Sequence, residues 1–409
     1  MIIERFIKKI KSIDYFLIFL FSIIIIFGGL LNTISNKTYL KDSWTIGEWL
    51  INYQGGFVRR GLIGEGIYLL SDQINISPIY VIWFISIIAY FLLVKLTFFE
   101  AQNKVSKVFL LSPGIFLAPI IGDFLIRKDI LLLVIFLINL KILKSNIPNI
   151  YYLNILNIFG ILIHETFAIY SLPIQAFIFI NKPKVLNAKN CFFIKSLPTF
   201  LVILSCLTFK GNQTQSILIH QSWISKSFLF PFESLNYELP LGAINAIGWG
   251  IQDIVKILSS SLLEFKGILW IPLAWLSTSF FLAVFFLSDY SGKDLKIKSF
   301  ILSFQFFPFA ILCFSGWDYG RWIFVWILSS ILIYCTLGEE LKSYQSIQVI
   351  LLRYNPFEKF LLNLQINKRS NILLAFFAYP HCCWSLYYLP SLLIVPIYSI
   401  FHLRKFIIK

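Results

Sequence analysis

Four short groups of polar residues interrupt the apolar runs of this chain: Asp42 to Arg60, Asp123 to Asp129, His164-Glu165, and Asp318 to Arg321. Ionisable side chains near a bilayer are costly, so groups of them read as a catalytic or binding site. Carboxylates can accept a hydroxyl proton or hold a divalent metal, and paired arginines present forked donors that match phosphate oxygens. The chemistry this combination suits is hydroxyl activation beside a phosphate-bearing group.

The catalytic candidates are Asp42 and Glu48, with His164 and Glu165 as the alternative base. Asp42 or Ser43 fits the N-cap of a short interfacial helix over 43–54 equally well, with Trp44, Trp49 and Tyr53 at headgroup level and Gly55 ending it. The run Gly55-Gly56-Phe57-Val58-Arg59-Arg60-Gly61-Leu62-Ile63-Gly64-Glu65-Gly66 joins close-approach glycines to an arginine pair, without the Gly-Lys-Ser/Thr of a Walker loop. It opens an apolar helix over 62–70 that is too short to span. A flexible turn with membrane-flanking arginines is the plainer alternative.

Asp123 and Arg127 stand four apart, so on a helix they would share a face and pair. Alternatively, Arg127 and Lys128 supply positive charge to a diphosphate leaving group. His164 lies in an apolar stretch where a lone histidine is usually a packed residue, but Glu165 beside it needs a partner or a task. No second histidine follows four residues on, so the zinc-protease pattern is absent. Asp318 and Arg321, flanked by Trp317 and Trp322, fit a sugar held by stacking and a phosphate held by arginine, or an interfacial aromatic belt.

The elements that must position these residues are membrane helices. Of 409 residues, 58% are hydrophobic and 13% charged, whereas soluble domains carry about a quarter charged residues. The fold class expected is all-α, a polytopic transmembrane bundle forming one integral domain over 1–409 with about 11–12 crossings. Apolar runs lie near 15–31, 77–95, 108–122, 129–143, 150–163, 166–180, 193–209, 267–287, 299–317, 322–337 and 371–403, the last read as a hairpin. With the N-terminus inward, the segments between them place 24 of the 35 Lys and Arg on the cytoplasmic side and 11 outside. Both termini are then cytoplasmic, and all four polar groups face outward. The first outer loop is 32–60, the largest 210–266 with a lid as one role, and 338–371 is cytoplasmic.

The net charge of +15 belongs to lysines between apolar runs, whose partners are membrane lipids; no nucleic-acid motif is present. The six cysteines lack metal-ligand spacing and read as packing residues. No cofactor is required by the residues, and a divalent metal stays open.

In architecture the chain resembles the integral-membrane glycosyltransferases of bacterial surface-polysaccharide pathways. It is similar both to oligosaccharide repeat-unit polymerases and to the GT-C superfamily. The resemblance implies that Asp42 or Glu48 is the first-loop acid acting on acceptor or metal. It also implies that Arg59, Arg60, Arg127 and Arg321 hold a polyprenyl diphosphate, with Asp123, Lys128, Asp318, Trp317 and Trp322 as further substrate contacts. The expected function is glycosyl transfer or polymerisation from a lipid-linked glycan at the outer face of the bacterial cytoplasmic membrane. A transporter or flippase for a lipid-linked or anionic solute is the alternative, although no internal repeat is present.

Overall fold

A computed structural model describes residues 44–102, 104–112, 114–121, 124–182, 188–226, 240, 242–250, 252–253, 256, 270–288, 294–315 and 318–344. These residues form helices and no β-strand. The helices are α1 (Thr45–Leu50), α2 (Gly61–Ile74), α3 (Pro78–Ala101), α4 (Lys107–Leu110), α5 (Ala118–Ile121), α6 (Asp129–Lys144), α7 (Ile150–Ile163) and α8 (Thr166–Ile180). They continue as α9 (Ala188–Lys195), α10 (Leu197–Thr208), α11 (Gln213–Ile224), α12 (Gly242–Asn245), α13 (Trp270–Ser288), α14 (Leu295–Ser315) and α15 (Tyr319–Ser343). The expected crossings at 15–31 and 371–403 lie outside the described residues.

Among the described residues three helices are long and apolar enough to cross a membrane: α3, α14 over Leu295–Cys313, and α15. Pro78 starts α3 in the first turn, where its missing N–H costs nothing. The 24 residues of α3 reach about 36 Å, more than the roughly 30 Å hydrocarbon core. Tyr80, Phe84, Ile88 and Phe91 recur along it at helical spacing and stand exposed, a stripe suited to lipid. By contrast α15 buries every residue from Gly320 to Gly338 and packs against α14, α6, α3 and α13, so it is the central post. Its start at Tyr319 corrects the expected loop, because Tyr319, Gly320 and Arg321 form its first turn.

The apolar run 108–122 does not form one crossing. It breaks into the single-turn helices α4 and α5, with Pro119 inside the second and residues 115–117 irregular between them. Ile115, Phe116 and Leu117 are nonetheless buried, and the Phe116 carbonyl accepts from the Tyr90 hydroxyl at 2.7 Å. Irregular backbone at that depth survives when protein groups satisfy it. The run 193–209 is likewise divided at Ser196 into α9 and α10.

Neutral amides tie the shorter helices together. Asn139 on α6 donates to Asn157 on α7 at 2.8 Å, and Asn157 exchanges bonds with Gln175 on α8, both 2.9 Å. Such bonds act as glue between helices that apolar contact alone does not orient. Gly160 lets α7 approach α8, since a Cβ there would meet Phe167 at 2.6 Å.

Two apolar cores result. The larger gathers α3, α6, α7, α8, α14 and α15; the smaller surrounds Trp49 and Trp223 and includes Val58, Ile67, Ile82, Ile244 and Ile247. Leu125 belongs to the first and Ile126 to the second, so the segment carrying Arg127 lies where they meet.

Candidate functional site

The inner layer of the site is built on Glu48, projected by α1 and 3% exposed. Its Oε2 accepts from Arg127 Nη1 at 3.1 Å, and its Oε1 lies 3.0 Å from His164 Nε2. The Thr166 backbone N–H donates to His164 Nδ1 at 3.2 Å, with the Thr166 hydroxyl 2.9 Å away. A nitrogen that accepts there carries no proton, which assigns the neutral imidazole its proton on Nε2, facing Glu48. Beside this chain, Arg321 on α15 donates through Nε to Asp129 at 2.8 Å, with Nη2 2.7 Å from the same carboxylate and Nη1 on Asp318.

The outer layer is Arg59, Arg60, Glu165 and Asp318. Arg60 Nε donates to both oxygens of Glu165, at 3.0 and 2.8 Å, and its Nη2 is also on Oε1; Arg59 Nη1 is 3.3 Å from that oxygen. These side chains keep 18–27% exposure, against 3–8% for Glu48, Arg127, His164, Asp129 and Arg321. Among the described residues the site therefore gathers five cationic side chains, Arg59, Arg60, Arg127, Lys128 and Arg321, and four carboxylates, Glu48, Asp129, Glu165 and Asp318, in two neighbouring ionic groups, with Lys128 bonded to backbone carbonyls. One positive charge is in excess.

The glycines of the second polar run act through backbone contact. A Cβ on Gly64 would fall 1.9 Å from the Ile51 carbonyl, so only glycine lets α2 lie against the end of α1. Arg60, the N-cap of α2, adopts φ 67°, a left-handed conformation rare for residues with a Cβ. Lys128 holds it there by donating from Nζ to the Arg60 carbonyl at 3.1 Å, with the Ile163 carbonyl 3.3 Å away. Trp49 donates to the Ile126 carbonyl, which locks α1 to the Arg127 segment.

Charge placement sets the ionisation. Burial opposes the charge of Glu48, but the bond from His164 together with the charges of Arg321 and Arg127 holds its carboxyl well below the ordinary range. Burial opposes Glu165 too, and Arg60 first, with Arg59, outweighs it. Burial and the charge of Arg60 push the His164 imidazole down, in keeping with its neutral form. Burial takes the Lys128 ammonium down to about 8.

Several sequence expectations change. The Arg127 segment, 124–128, is a turn, and Arg127 reaches Glu48 on α1, while Asp123 lies outside the described residues. Trp49 is fully buried within the protein, whereas Trp44 is exposed. The helix expected over 43–54 runs only Thr45–Leu50, with Trp44 at its N-cap, and the helix expected over 62–70 extends over Gly61–Ile74. Trp322 is buried, with the Arg321 guanidinium 5.1 Å above its ring, so that face is covered. Described parts of 210–266 dock on the first loop: Trp223 donates to the Leu50 carbonyl at 2.7 Å and Arg59 Nη2 to the Ile247 and Trp249 carbonyls at 3.2 and 3.1 Å. Asp42, Asp123 and Trp317 lie outside the described residues.

The structure thus brings together Glu48, Arg59, Arg60, Arg127, Lys128, His164, Glu165, Asp318 and Arg321. It adds two residues to which sequence reasoning assigned no role, Asp129 and Thr166. Asp129 carried a signal, a carboxylate directly after Arg127-Lys128 at a helix start; Thr166 carried none. No group of three or more His, Cys, Asp or Glu side chains is placed to hold a metal ion among the described residues. No protein-family model, curated protein or solved structure matches the chain.

Proposed function

We propose that the chain is a multi-pass glycosyltransferase or glycan polymerase of the bacterial cytoplasmic membrane, both termini cytoplasmic, working on polyprenyl phosphate- or diphosphate-linked sugars at the outer face. One observation supports the reading: side chains from four segments far apart in sequence meet in two neighbouring ionic groups, with Lys128 adding a positive charge beyond the paired ones, and two arginines and two carboxylates of these groups stay partly exposed. Buried ions are an expensive way to stabilise a fold, and apolar side chains of similar volume often do it better.

In the reaction, an acceptor sugar hydroxyl attacks the anomeric carbon of the donor as its proton passes to a carboxylate. The bond from that carbon to the phosphate oxygen breaks, and the lipid phosphate leaves with the electron pair. Arginines stabilise the charge that develops on the leaving oxygen. Of the described candidates Glu165 is the more open base, its side chain 21% exposed against 4% for Glu48. Asp42, in the same loop as Glu48, keeps its proposed role as a base or metal ligand.

The test is extension or transfer by the purified full chain in nanodiscs supplied with a polyprenyl-diphosphate oligosaccharide. Arg60→Ala is expected to lower the rate by about 100-fold, as loss of a charge-stabilising donor does. An inert wild-type protein, or an Arg60→Ala variant of full activity, would overturn the reading. Movement of the lipid-linked oligosaccharide across a vesicle bilayer without transfer would put the chain among transporters.

A further inference from the structure

Arg59 and Arg60 differ from the other cations of the site in being partly open and in being positioned by contacts other than their carboxylate. The Arg59 backbone N–H donates to the Phe209 carbonyl at 3.0 Å, and its Nη2 to the Ile247 and Trp249 carbonyls. The Arg60 backbone is set in its left-handed conformation with Lys128 on its carbonyl. Taking Glu165 away would leave the Arg59 guanidinium on its carbonyls and the Arg60 side chain rooted at the same point beside it.

Glu165 is held less firmly. Its side chain, 21% exposed, sits on the turn between α7 and α8, and among the described residues it contacts, besides the two arginines, His164 Nδ1 at 3.5 Å. That nitrogen already accepts from Thr166. A single carboxylate thus faces two guanidinium groups, with the fork of Arg60 closed on both of its oxygens. Its two oxygens and one charge cannot saturate two forks. A diphosphate offers more oxygens and more charge, and guanidinium geometry suits both anions.

We infer that Arg59 and Arg60 form a preorganised seat for a phosphate or diphosphate group, and that Glu165 occupies the seat as an internal counter-anion which the ligand displaces. The inference rests on the reading of these arginines as phosphate ligands and adds what fills their place beforehand. Glu165 competes with the ligand, so neutralising this carboxylate strengthens anion binding. A carboxylate that only repelled the ligand, without filling its place, would tighten binding when neutralised as Glu165→Gln but leave Glu165→Asp, which keeps the charge, at wild-type affinity.

The experiment measures binding of two probes, inorganic pyrophosphate and farnesyl diphosphate, to the full chain in nanodiscs of zwitterionic lipid. The proteins are wild type, Glu165→Gln, Glu165→Asp and Asp72→Asn. Asp72 is a control carboxylate, 58% exposed and paired with Lys226 away from the network. Glu165→Gln is expected to bind at least about tenfold tighter than wild type, with binding that weakens as salt rises. Glu165→Asp, whose shorter arm draws back from the forks, falls between, and keeps the test intact if the glutamine variant does not fold. Asp72→Asn leaves affinity unchanged. Tightening with both probes puts recognition on the diphosphate alone, and tightening with farnesyl diphosphate only adds the lipid chain; both support the seat. Equal or weaker binding by the Glu165 variants overturns displacement while leaving phosphate recognition in place. Failure of wild type and variants to bind either probe overturns both readings.

Discussion

The two ends of α15 handle charge differently. At its first turn Arg321 meets Asp129, both side chains 3% exposed, and reaches on to Asp318. At its last turn Lys342 pairs with Asp294 and with Glu339, which is 70% exposed, while Glu340 pairs with Lys182. Every pair at the last turn keeps at least one partner open to water, and such pairs contribute little. Asp318 keeps 22% exposure, but Arg321 and Asp129 are shut away from water, where each depends on its partner because water cannot replace it. The same helix therefore ends in ordinary surface pairing on one side and, on the other, in a site whose charges are retained despite their cost.

This contrast can be broken by removing one ion from each end. Arg321→Ala strands Asp129 in a dry environment and is expected to cost about 3–5 kcal/mol. Thermal unfolding of the detergent-solubilised protein would read it, and a loss no larger than that of a surface variant would remove the distinction between the ends.

Acid sharpens the contrast next. The Glu48 and Glu165 carboxyls are held well below their ordinary value of 4.5, so the stability they contribute is complete above that pH and is lost as pH falls through the depressed values. The unfolding temperature should therefore drop below pH 4.5, and drop less in Glu48→Gln than in wild type. Equal losses would place the acid sensitivity elsewhere. The smallest effect is expected from Lys342→Ala, at most about 1 kcal/mol. A larger penalty would show that the last turn, too, is locked by its ions.

Helical character and apolar runs were legible because composition and period decide them: α6, α7 and α8 fall almost where their runs begin and end. The broken run at 108–122 was not, since an apolar segment reads alike whether it forms a helix or buried turns capped by Tyr90. In the site, the residue groups were legible as costly polar interruptions. Their pairing was not. The local rule looks for the partner of Arg127 within a helical turn, and the arginine reaches 79 residues back to Glu48. Trp322 read as an open aromatic face, and the guanidinium of Arg321 covers it.

By itself, the sequence determined that this is a helical chain with spans apolar enough for a membrane and a few ionisable residues grouped at the ends of its apolar runs. Tertiary structure alone decided that Arg60 meets Glu165, 105 residues on, and that Arg321 meets Asp129, 192 residues back. The physical reason is that hydrophobic periodicity is a property of neighbouring residues. A buried charge, by contrast, is satisfied by whichever opposite charge the packed helices bring within reach.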